Sequence, residues 1–154
     1  HPDLKKYDLS SIRVIRSAGS LLPPLLAAEA EEKLNCRVQN GYGASDFGPV
    51  SENDINNSPE VRRLTVGTPI VGTEVQVRDA SGKVMRKGEV GEIFARGDCT
   101  ASGYYKDHET TAQMWTKDGW YRTGDLGKLD QSGNLMIVGR EKDMIIRGGR
   151  IYIP

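Results

Sequence analysis

Glycines divide the second half of this sequence into short apolar segments, and this spacing limits the folds that the chain can adopt. The sequence has 18 glycines in 154 residues. Short apolar runs between glycines are typical of β-strands joined by tight turns. Two Asp-X-Ser-Gly sequences, at residues 79–82 and 130–133, suit such turns. We therefore predict a small, distorted antiparallel β-barrel over residues 66–140. Its predicted elements are strands at residues 71–77, 92–95 and 135–138 and a short helix at residues 109–115.

The first 65 residues show a different order, in which strands alternate with a helix. A β-branched run at residues 12–15 predicts a buried strand, and a second strand begins at Arg37. Between them, two consecutive prolines suit the first turn of a helix that continues to Leu34, and its leucines fall near one face. This order predicts the edge of a larger α/β layer. The polar residues 53–60 predict an exposed loop.

Charge and cysteine content exclude several classes of protein. The 21 lysines and arginines balance 21 acidic residues, so the basic surface expected of a nucleic-acid-binding protein is missing. Cys36 and Cys99 lie far apart without metal-ligand spacing, and His1 and His108 suggest no zinc cluster. The sequence has no apolar run of membrane-spanning length and no signal-peptide pattern. We expect a cytoplasmic protein with reduced cysteines that binds no nucleic acid and has no transmembrane segment.

The glycine-rich stretch at residues 41–46 is a candidate ligand-binding loop. Glycines allow backbone amides to approach a ligand closely. Tyr42 offers a flat face for a purine, Ser45 a hydroxyl for a phosphate, and Asp46 a hard oxygen for Mg²⁺. An ordinary glycine-rich turn between strands is the alternative. The stretch matches neither the dinucleotide fingerprint nor the Walker phosphate loop.

Asp125 and Arg140 form a second candidate site near the end of the sequence. A carboxylate can accept hydrogen bonds from both hydroxyls of a ribose, and an arginine can bind a phosphate through two parallel bonds. Together they suggest a nucleotide held by its sugar and its phosphate. Two simpler interpretations remain open: Asp125 caps a turn, and Arg140 pairs with Glu141 or Asp143 on the surface.

These motifs, in this order, resemble those of the adenylate-forming superfamily. That superfamily includes acyl- and aryl-CoA synthetases, peptide-synthetase adenylation domains and firefly luciferase. The resemblance covers essentially the whole chain and implies a piece of the large N-terminal domain, with an α/β part at 1–65, a barrel part at 66–140, and a hinge region at 141–154. The motifs lie at residues 17–20, 41–46, 66–69, 91–93, 103–105, 121–125 and 139–140.

The resemblance implies roles for individual residues in binding ATP, Mg²⁺ and CoA. Asp46 would help to place Mg²⁺, Asp143 would be the hinge of the small C-terminal domain, and Gly148 and Gly149 would approach CoA. The chain departs from the usual pattern, since Ser45-Asp46 replaces Thr-Glu and Ile146 replaces a common Lys. The implied ATP or AMP site consists of Gly19, Ser20, Asn40, Gly41, Tyr42, Gly43, Ser45, Asp125, Arg140 and Lys142.

The resemblance further implies that the chain is an internal fragment of an ATP-dependent carboxylate-CoA ligase, acting on a fatty, alicyclic or aromatic acid. The superfamily's phosphate loop has no match in the sequence, and its catalytic lysine would lie beyond Pro154. We therefore expect this chain alone to be inactive and to bind nucleotide weakly. Two alternatives stay open: an adenylation domain that loads a carrier protein, and a non-catalytic nucleotide-binding or structural module. The oligomeric state is not predicted.

Overall fold

A computed structural model describes residues 3, 6–140, 145–147 and 150–152 of the chain. In this part of the chain, three helices accompany two four-stranded sheets and one separate strand pair. None of these helices has the length and apolar character needed to cross a membrane. The helices are α1 (Pro24–Leu34), α2 (Pro59–Leu64) and α3 (His108–Met114). The strands are β1 (Val14–Ser17), β2 (Arg37–Ala44), β3 (Gly48–Glu52), β4 (Thr68–Pro69), β5 (Thr73–Arg78), β6 (Gly91–Gly97), β7 (Tyr121–Leu129), β8 (Leu135–Arg140), β9 (Ile145–Arg147) and β10 (Arg150–Tyr152).

The first sheet has the strand order β1-β2-β3-β4. Strands β1 and β2 are parallel and are connected through α1, whereas β3 and β4 add antiparallel partners. Helix α1 ends at Asn35, whose left-handed backbone conformation (φ 47°) closes the last turn. The predicted strand-helix-strand order is therefore confirmed, although β1 begins two residues later than expected.

Helix α1 buries a different face from the one that its leucines predict. Leu25 is 86% exposed and Leu26 is 50% exposed, while Ala27 is fully buried. The side chain of Glu31 is also buried, because it accepts hydrogen bonds from the guanidinium groups of Arg62 and Arg63 on α2. The amphipathic pattern located the helix correctly, but an ion cluster rather than the leucine stripe joins it to α2.

The predicted exposed loop at residues 53–60 is wrong at both of its ends. Asn53 is 1% exposed, and its side-chain amide donates to the carbonyl oxygen of Thr65 at 2.7 Å. Helix α2 begins at Pro59, where the Ser58 hydroxyl accepts a hydrogen bond from the backbone amide of Val61. A serine cap followed by proline in the first turn is a helix-start signal. The prediction relied on the polar composition of the segment and therefore missed both the helix start and the buried side-chain amide of Asn53.

The second sheet is an antiparallel meander in the order β5-β6-β7-β8. In the described part of the chain β5 and β8 are its two edges, so an open four-stranded sheet is present and a closed barrel stays a prediction. Helix α3 connects β6 to β7 close to its predicted position. Strand β7 was not predicted, because its glycines are typical of turns. Strands β9 and β10 form a separate antiparallel pair.

The two sheets share one interior. One buried cluster contains Phe47, Val50, Ala95 and Tyr121, and another contains Val66, Ile93 and Leu135. The half-buried side chain of Tyr42 packs against both clusters. Backbone hydrogen bonds cross the predicted boundary at residues 65–66, since the amide of Ile70 donates to the carbonyl oxygen of Val50 at 3.0 Å. The division into three parts stays a prediction.

Candidate functional site

An open cleft of about 650 Å³ lies where the end of β1, strand β2 and strands β7 and β8 meet. The sequence did not single out its apolar wall, which includes Phe47, Val66 and Ile137. Seven of the ten predicted nucleotide-binding residues line the cleft. These are Gly19, Ser20, Gly41, Tyr42, Gly43, Asp125 and Arg140.

Asp125 accepts a hydrogen bond from Tyr42 and forms an ion pair with Arg140 at the edge of the cleft. The Tyr42 hydroxyl donates to Asp125 Oδ2 at 2.6 Å, and Arg140 Nε lies 3.1 Å from Asp125 Oδ1. The Asp125 side chain is 17% exposed, whereas that of Arg140 is 62% exposed. The carboxylate is therefore held from one side by a half-buried phenol and from the other by a solvated cation. The simpler interpretation of Asp125 as a turn cap differs from this arrangement, whereas the alternative partners of Arg140, Glu141 and Asp143, lie outside the described residues.

The strands of the second sheet bring Asp125 and Arg140 together. The two residues face each other in the register of β7 and β8. The Asp125 backbone amide donates to the Thr123 hydroxyl at 3.1 Å, and that buried hydroxyl donates to the carbonyl oxygen of Ile93 at 2.8 Å. Gly124 between them has φ of 69°, a conformation that favours glycine. Residues 123–125 are thus fixed to the neighbouring strand β6.

The Tyr42 side chain is a hydrogen-bond donor at all physiological pH values. Burial raises the pKa of its hydroxyl, and the hydrogen bond to Asp125 raises the pKa further. Its ring packs against Phe47 with 5.5 Å between the ring centroids. Gly43 lets β2 and β3 approach closely beside this ring, since a Cβ atom there would lie 2.8 Å from the Cα of Pro49. Backbone packing therefore explains one loop glycine without any ligand.

Two of the predicted nucleotide-binding residues lie outside the cleft. Asn40 is buried, and its side-chain amide donates to the carbonyl oxygen of Arg62 at 2.9 Å. It lines a smaller recess of about 310 Å³ beside the cleft, together with Ser20 and Gly41. Ser45 is exposed in the turn between β2 and β3. Both residues stay predictions as nucleotide contacts.

Asp46 follows Ser45 in the turn between β2 and β3. Its Oδ2 atom accepts hydrogen bonds from the hydroxyls of Tyr104 and Tyr121, each at 3.1 Å. Both rings pack edge-on against Trp115. A second groove, of about 1,340 Å³, is lined by Asp46, Tyr104 and Tyr121, and Arg140 reaches both the groove and the cleft. Tyr104 and Tyr121 are not among the predicted site residues, and the aromatic positions of the motifs at 103–105 and 121–125 are the signal for their contact with Asp46.

The geometry around Asp46 offers a magnesium ion one oxygen of this carboxylate. Oδ2 already has two hydroxyl donors, which leaves Oδ1 as the freer oxygen. No group of three acidic, histidine or cysteine side chains suited to a metal occurs among the described residues. Proteins often bind Mg²⁺ through one or two carboxylates, with water and substrate phosphates as the other ligands. The predicted hinge residue Asp143, the predicted contact Lys142, and the CoA-proximal Gly148 and Gly149 lie outside the described residues.

Comparison with known proteins decides the family. The sequence profile described as "AMP-binding enzyme" matches residues 1–105. The chain belongs to the AMP-binding enzyme family. Asp125 and Arg140 follow the matched segment, but alignments with individual relatives extend over almost the whole chain.

The relatives include ligases that differ in their acids. The chain is 39% identical to 2-hydroxy-7-methoxy-5-methyl-1-naphthoate–CoA ligase of Streptomyces carzinostaticus, over 92% of this chain and 25% of that protein. It is also 39% identical to the mitochondrial medium-chain acyl-CoA ligase of Danio rerio, over 99% of this chain and 26% of that protein. The structure of an anthranilate CoA ligase in complex with anthranoyl-AMP matches with a TM-score of 0.88 and 29% identity, over 99% of this chain and 29% of that one. The chain thus spans between a quarter and a third of each of these proteins.

Proposed function

We propose that this chain forms the adenosine-binding part of an ATP-dependent carboxylate-CoA ligase. The intact enzyme would join a carboxylate to AMP with release of pyrophosphate and then transfer the acyl group to CoA. The observation that carries the proposal is the position of Asp125 at the rim of the cleft, where its two oxygens are held by Tyr42 and Arg140. A fixed carboxylate beside an apolar slot suits a ribose attached to a purine.

Each part of the cleft has a distinct task in this proposal. The purine lies between the small residues at 19–20 and the ring of Tyr42, with Phe47 behind that ring. Asp125 accepts from the ribose hydroxyls. Arg140 lies where the cleft meets the second groove, so its guanidinium is placed to attract the phosphates as they leave the cleft. Ser45 in the adjoining turn is a candidate for an α-phosphate contact.

Magnesium and CoA enter the proposal with fewer supporting observations. Asp46 would supply one oxygen to Mg²⁺, and the metal when bound would neutralise phosphate charge. Tyr104 and Tyr121 would hold that carboxylate in place through its other oxygen. We keep Asp143 as the proposed hinge, Gly148 and Gly149 as the proposed approach to CoA, and the catalytic lysine as a group of the longer enzyme.

The class of acid and the acceptor are the finer parts of the proposal. Relatives named for a naphthoate and for medium-chain acyl groups support an aromatic or fatty acid. CoA is favoured as the acceptor because these relatives are named as CoA ligases. A carrier-protein acceptor remains the second candidate, because the motifs also resemble those of peptide-synthetase adenylation domains.

Acid-dependent release of pyrophosphate from ATP tests the proposal in the full-length protein that contains this chain. A panel of medium-chain and aromatic acids should show release with at least one acid, and thioester should form only when CoA is added. The matched variant Asp125→Asn alters the proposed ribose contact and should reduce the release of pyrophosphate. Absence of acid-dependent release across the panel would contradict the proposal. Thioester formation on a carrier domain, and not on CoA, would favour the second candidate.

The 154-residue chain by itself provides a second test. We expect no carboxylate-dependent pyrophosphate release from it and only weak binding of AMP by calorimetry, because the phosphate-binding loop and the catalytic lysine of the family have no match in it. Turnover by this chain alone, or submicromolar affinity for AMP, would show that the cleft is more complete than we propose.

A further inference from the structure

The hydrogen bond between Tyr42 and Asp125 joins two strands that lie far apart in the sequence. Tyr42 is in β2 of the first sheet, and Asp125 is in β7 of the second. The separation between the oxygens is 2.6 Å, a short bond to an ionised acceptor. Both side chains line the cleft. On the basis of the proposed nucleotide site, we infer that Tyr42 is a positioning residue. Its hydroxyl holds the Asp125 carboxylate in the orientation needed to recognise both ribose hydroxyls.

The number of acceptor sites on the carboxylate supports this role. An ionised carboxylate has about four lone-pair positions, two on each oxygen. Tyr42 uses one position on Oδ2, and the guanidinium of Arg140, an ion-pair partner 3.1 Å from Oδ1, takes at most one position on that oxygen. One position on each oxygen is left, which matches the two neighbouring hydroxyls of a ribose. The protein donors and the ribose can therefore occupy Asp125 together.

The Tyr42 hydroxyl is the better fixed of the two protein donors. The Arg140 side chain is 62% exposed and follows the carboxylate if it rotates. Tyr42 is half-buried, packs against both core clusters and has only two rotatable side-chain bonds. The terminal torsion angle of an aspartate side chain has a broad distribution. One fixed donor to one oxygen therefore sets the plane of the carboxylate. Without this hydroxyl, the carboxylate is free to turn towards Arg140.

Removing the hydroxyl should therefore impair the recognition of ribose and spare that of adenine. Tyr42→Phe keeps the ring that faces the purine and removes only the donor to Asp125. We compare the binding of AMP, 2′-deoxy-AMP and 3′-deoxy-AMP to the full-length protein by calorimetry. In the unmodified protein AMP should bind about tenfold or more tightly than either deoxynucleotide. In Tyr42→Phe this preference should fall about three- to tenfold, while affinity for the deoxynucleotides changes less than twofold.

Tyr121→Phe is the matched control. It removes one phenolic hydroxyl from the same aromatic cluster, but that hydroxyl donates to Asp46 and not to Asp125. In a metal-chelating buffer, where the proposed role of Tyr121 beside the metal does not enter, the preference of this variant for AMP over the deoxynucleotides should stay within twofold of the unmodified protein. An equal loss of preference in both variants would overturn the inference, because the effect would then come from the cluster and not from the bond to Asp125.

Two further outcomes would overturn the inference. One is an unchanged preference in a folded Tyr42→Phe variant. The other is an equal loss of affinity for all three nucleotides, which would mean that the hydroxyl acts on adenine or on the fold. If the variant does not fold, nuclear magnetic resonance of labelled tyrosine in the unmodified protein decides. The Tyr42 hydroxyl proton should stay protected from exchange when AMP is bound, and loss of that protection would contradict the inference.

Binding measurements separate this inference from the proposed enzymatic reaction. A protein that shows the Tyr42-dependent preference but releases no pyrophosphate supports the positioning role and contradicts the ligase. An active ligase in which Tyr42→Phe leaves the preference for AMP unchanged supports the ligase and contradicts the positioning role. Absence of AMP binding by the unmodified full-length protein overturns both.

Discussion

Glu31 and Asp125 are two carboxylates held by arginines, but their surroundings differ. The side chains of Glu31 and Arg62 are 8% and 6% exposed, and Arg63 and the backbone amide of Val38 also donate to Glu31. Asp125 is 17% exposed and its partner Arg140 is 62% exposed. The Glu31–Arg62 pair is shielded from solvent, whereas the Asp125–Arg140 pair opens on a cleft. The difference separates an ion pair that joins two helices from one that is available to a ligand.

The pKa of Glu31 reflects this closed environment. Burial alone would raise the pKa, but hydrogen bonds from Arg62, Val38 and Arg63 outweigh burial and lower the pKa from 4.5 to about 2. The cluster joins α1, which carries Glu31, to α2 and β2. We therefore propose that Glu31 serves stability and Asp125 serves binding, and the following substitutions test that division in order of decreasing effect.

The largest expected effect is a loss of stability in Glu31→Gln. The amide keeps an acceptor oxygen but removes the charge, so Arg62 is left buried without a counterion. Breaking a buried ion pair in this way typically costs about 3–5 kcal/mol. We expect a decrease of about 3 kcal/mol in the free energy of unfolding, measured by urea denaturation of the chain. A matched Glu29→Gln variant removes an exposed partner of Lys33 on the same helix and should change stability by less than about 1 kcal/mol.

An effect of similar size should appear as a pH dependence. Because the folded pKa of Glu31 is about 2 and its ordinary value is 4.5, its contribution to stability is complete above about pH 4.5 and is lost as the pH falls towards 2. The difference in unfolding free energy between the unmodified chain and Glu31→Gln should therefore shrink by up to about 3 kcal/mol across this window. Other acids titrate in both proteins and cancel in the difference. A difference that stays constant from pH 6 to pH 3 would contradict the assignment.

Asp125→Asn should show the opposite behaviour, with a loss of binding and little loss of stability. Asparagine is nearly isosteric but has only one acceptor oxygen for two ribose hydroxyls, and its amide does not attract Arg140. We expect AMP to bind the full-length protein about 50-fold more weakly, which corresponds to about 2.3 kcal/mol. Calorimetry measures the affinity and thermal unfolding the stability. A strongly destabilised variant would place Asp125 with Glu31 as a structural residue.

The contrast also shows which parts of the fold could be predicted from the sequence. The strand-helix-strand order depends on local periodicity and on the prolines before α1, so it could be predicted. Strand β7 could not, because Gly124 and Gly127 look like turn residues. Gly127 is glycine for a tertiary reason, since a Cβ atom there would lie 2.6 Å from Ile93 Cδ1. A glycine required by packing is indistinguishable in sequence from one required by a turn.

The candidate site was predictable as a set of residues but not as an arrangement. The motifs indicated Asp125, Arg140 and Tyr42, and the structure brings these three together. The sequence did not indicate that Tyr42 donates to Asp125, because that contact joins strands of two different sheets. Nor did it place Asp46 in a second groove, because the tyrosines that bind it are 58 and 75 residues away.

Asp46 gives the smallest expected effect and the finest test of the comparison. Tyrosine hydroxyls hold the Asp46 carboxylate, as the Tyr42 hydroxyl holds that of Asp125. Asp46, however, lines the second groove and not the cleft. Asp46→Asn keeps an oxygen that can accept from both hydroxyls, so without Mg²⁺ the affinity for AMP should change less than twofold. Calorimetry in a metal-chelating buffer measures this affinity, with Asp125→Asn as the positive control. A tenfold loss under these conditions would mean that Asp46 contacts the nucleotide directly, whereas a loss seen only with ATP and Mg²⁺ would support its proposed role at the metal.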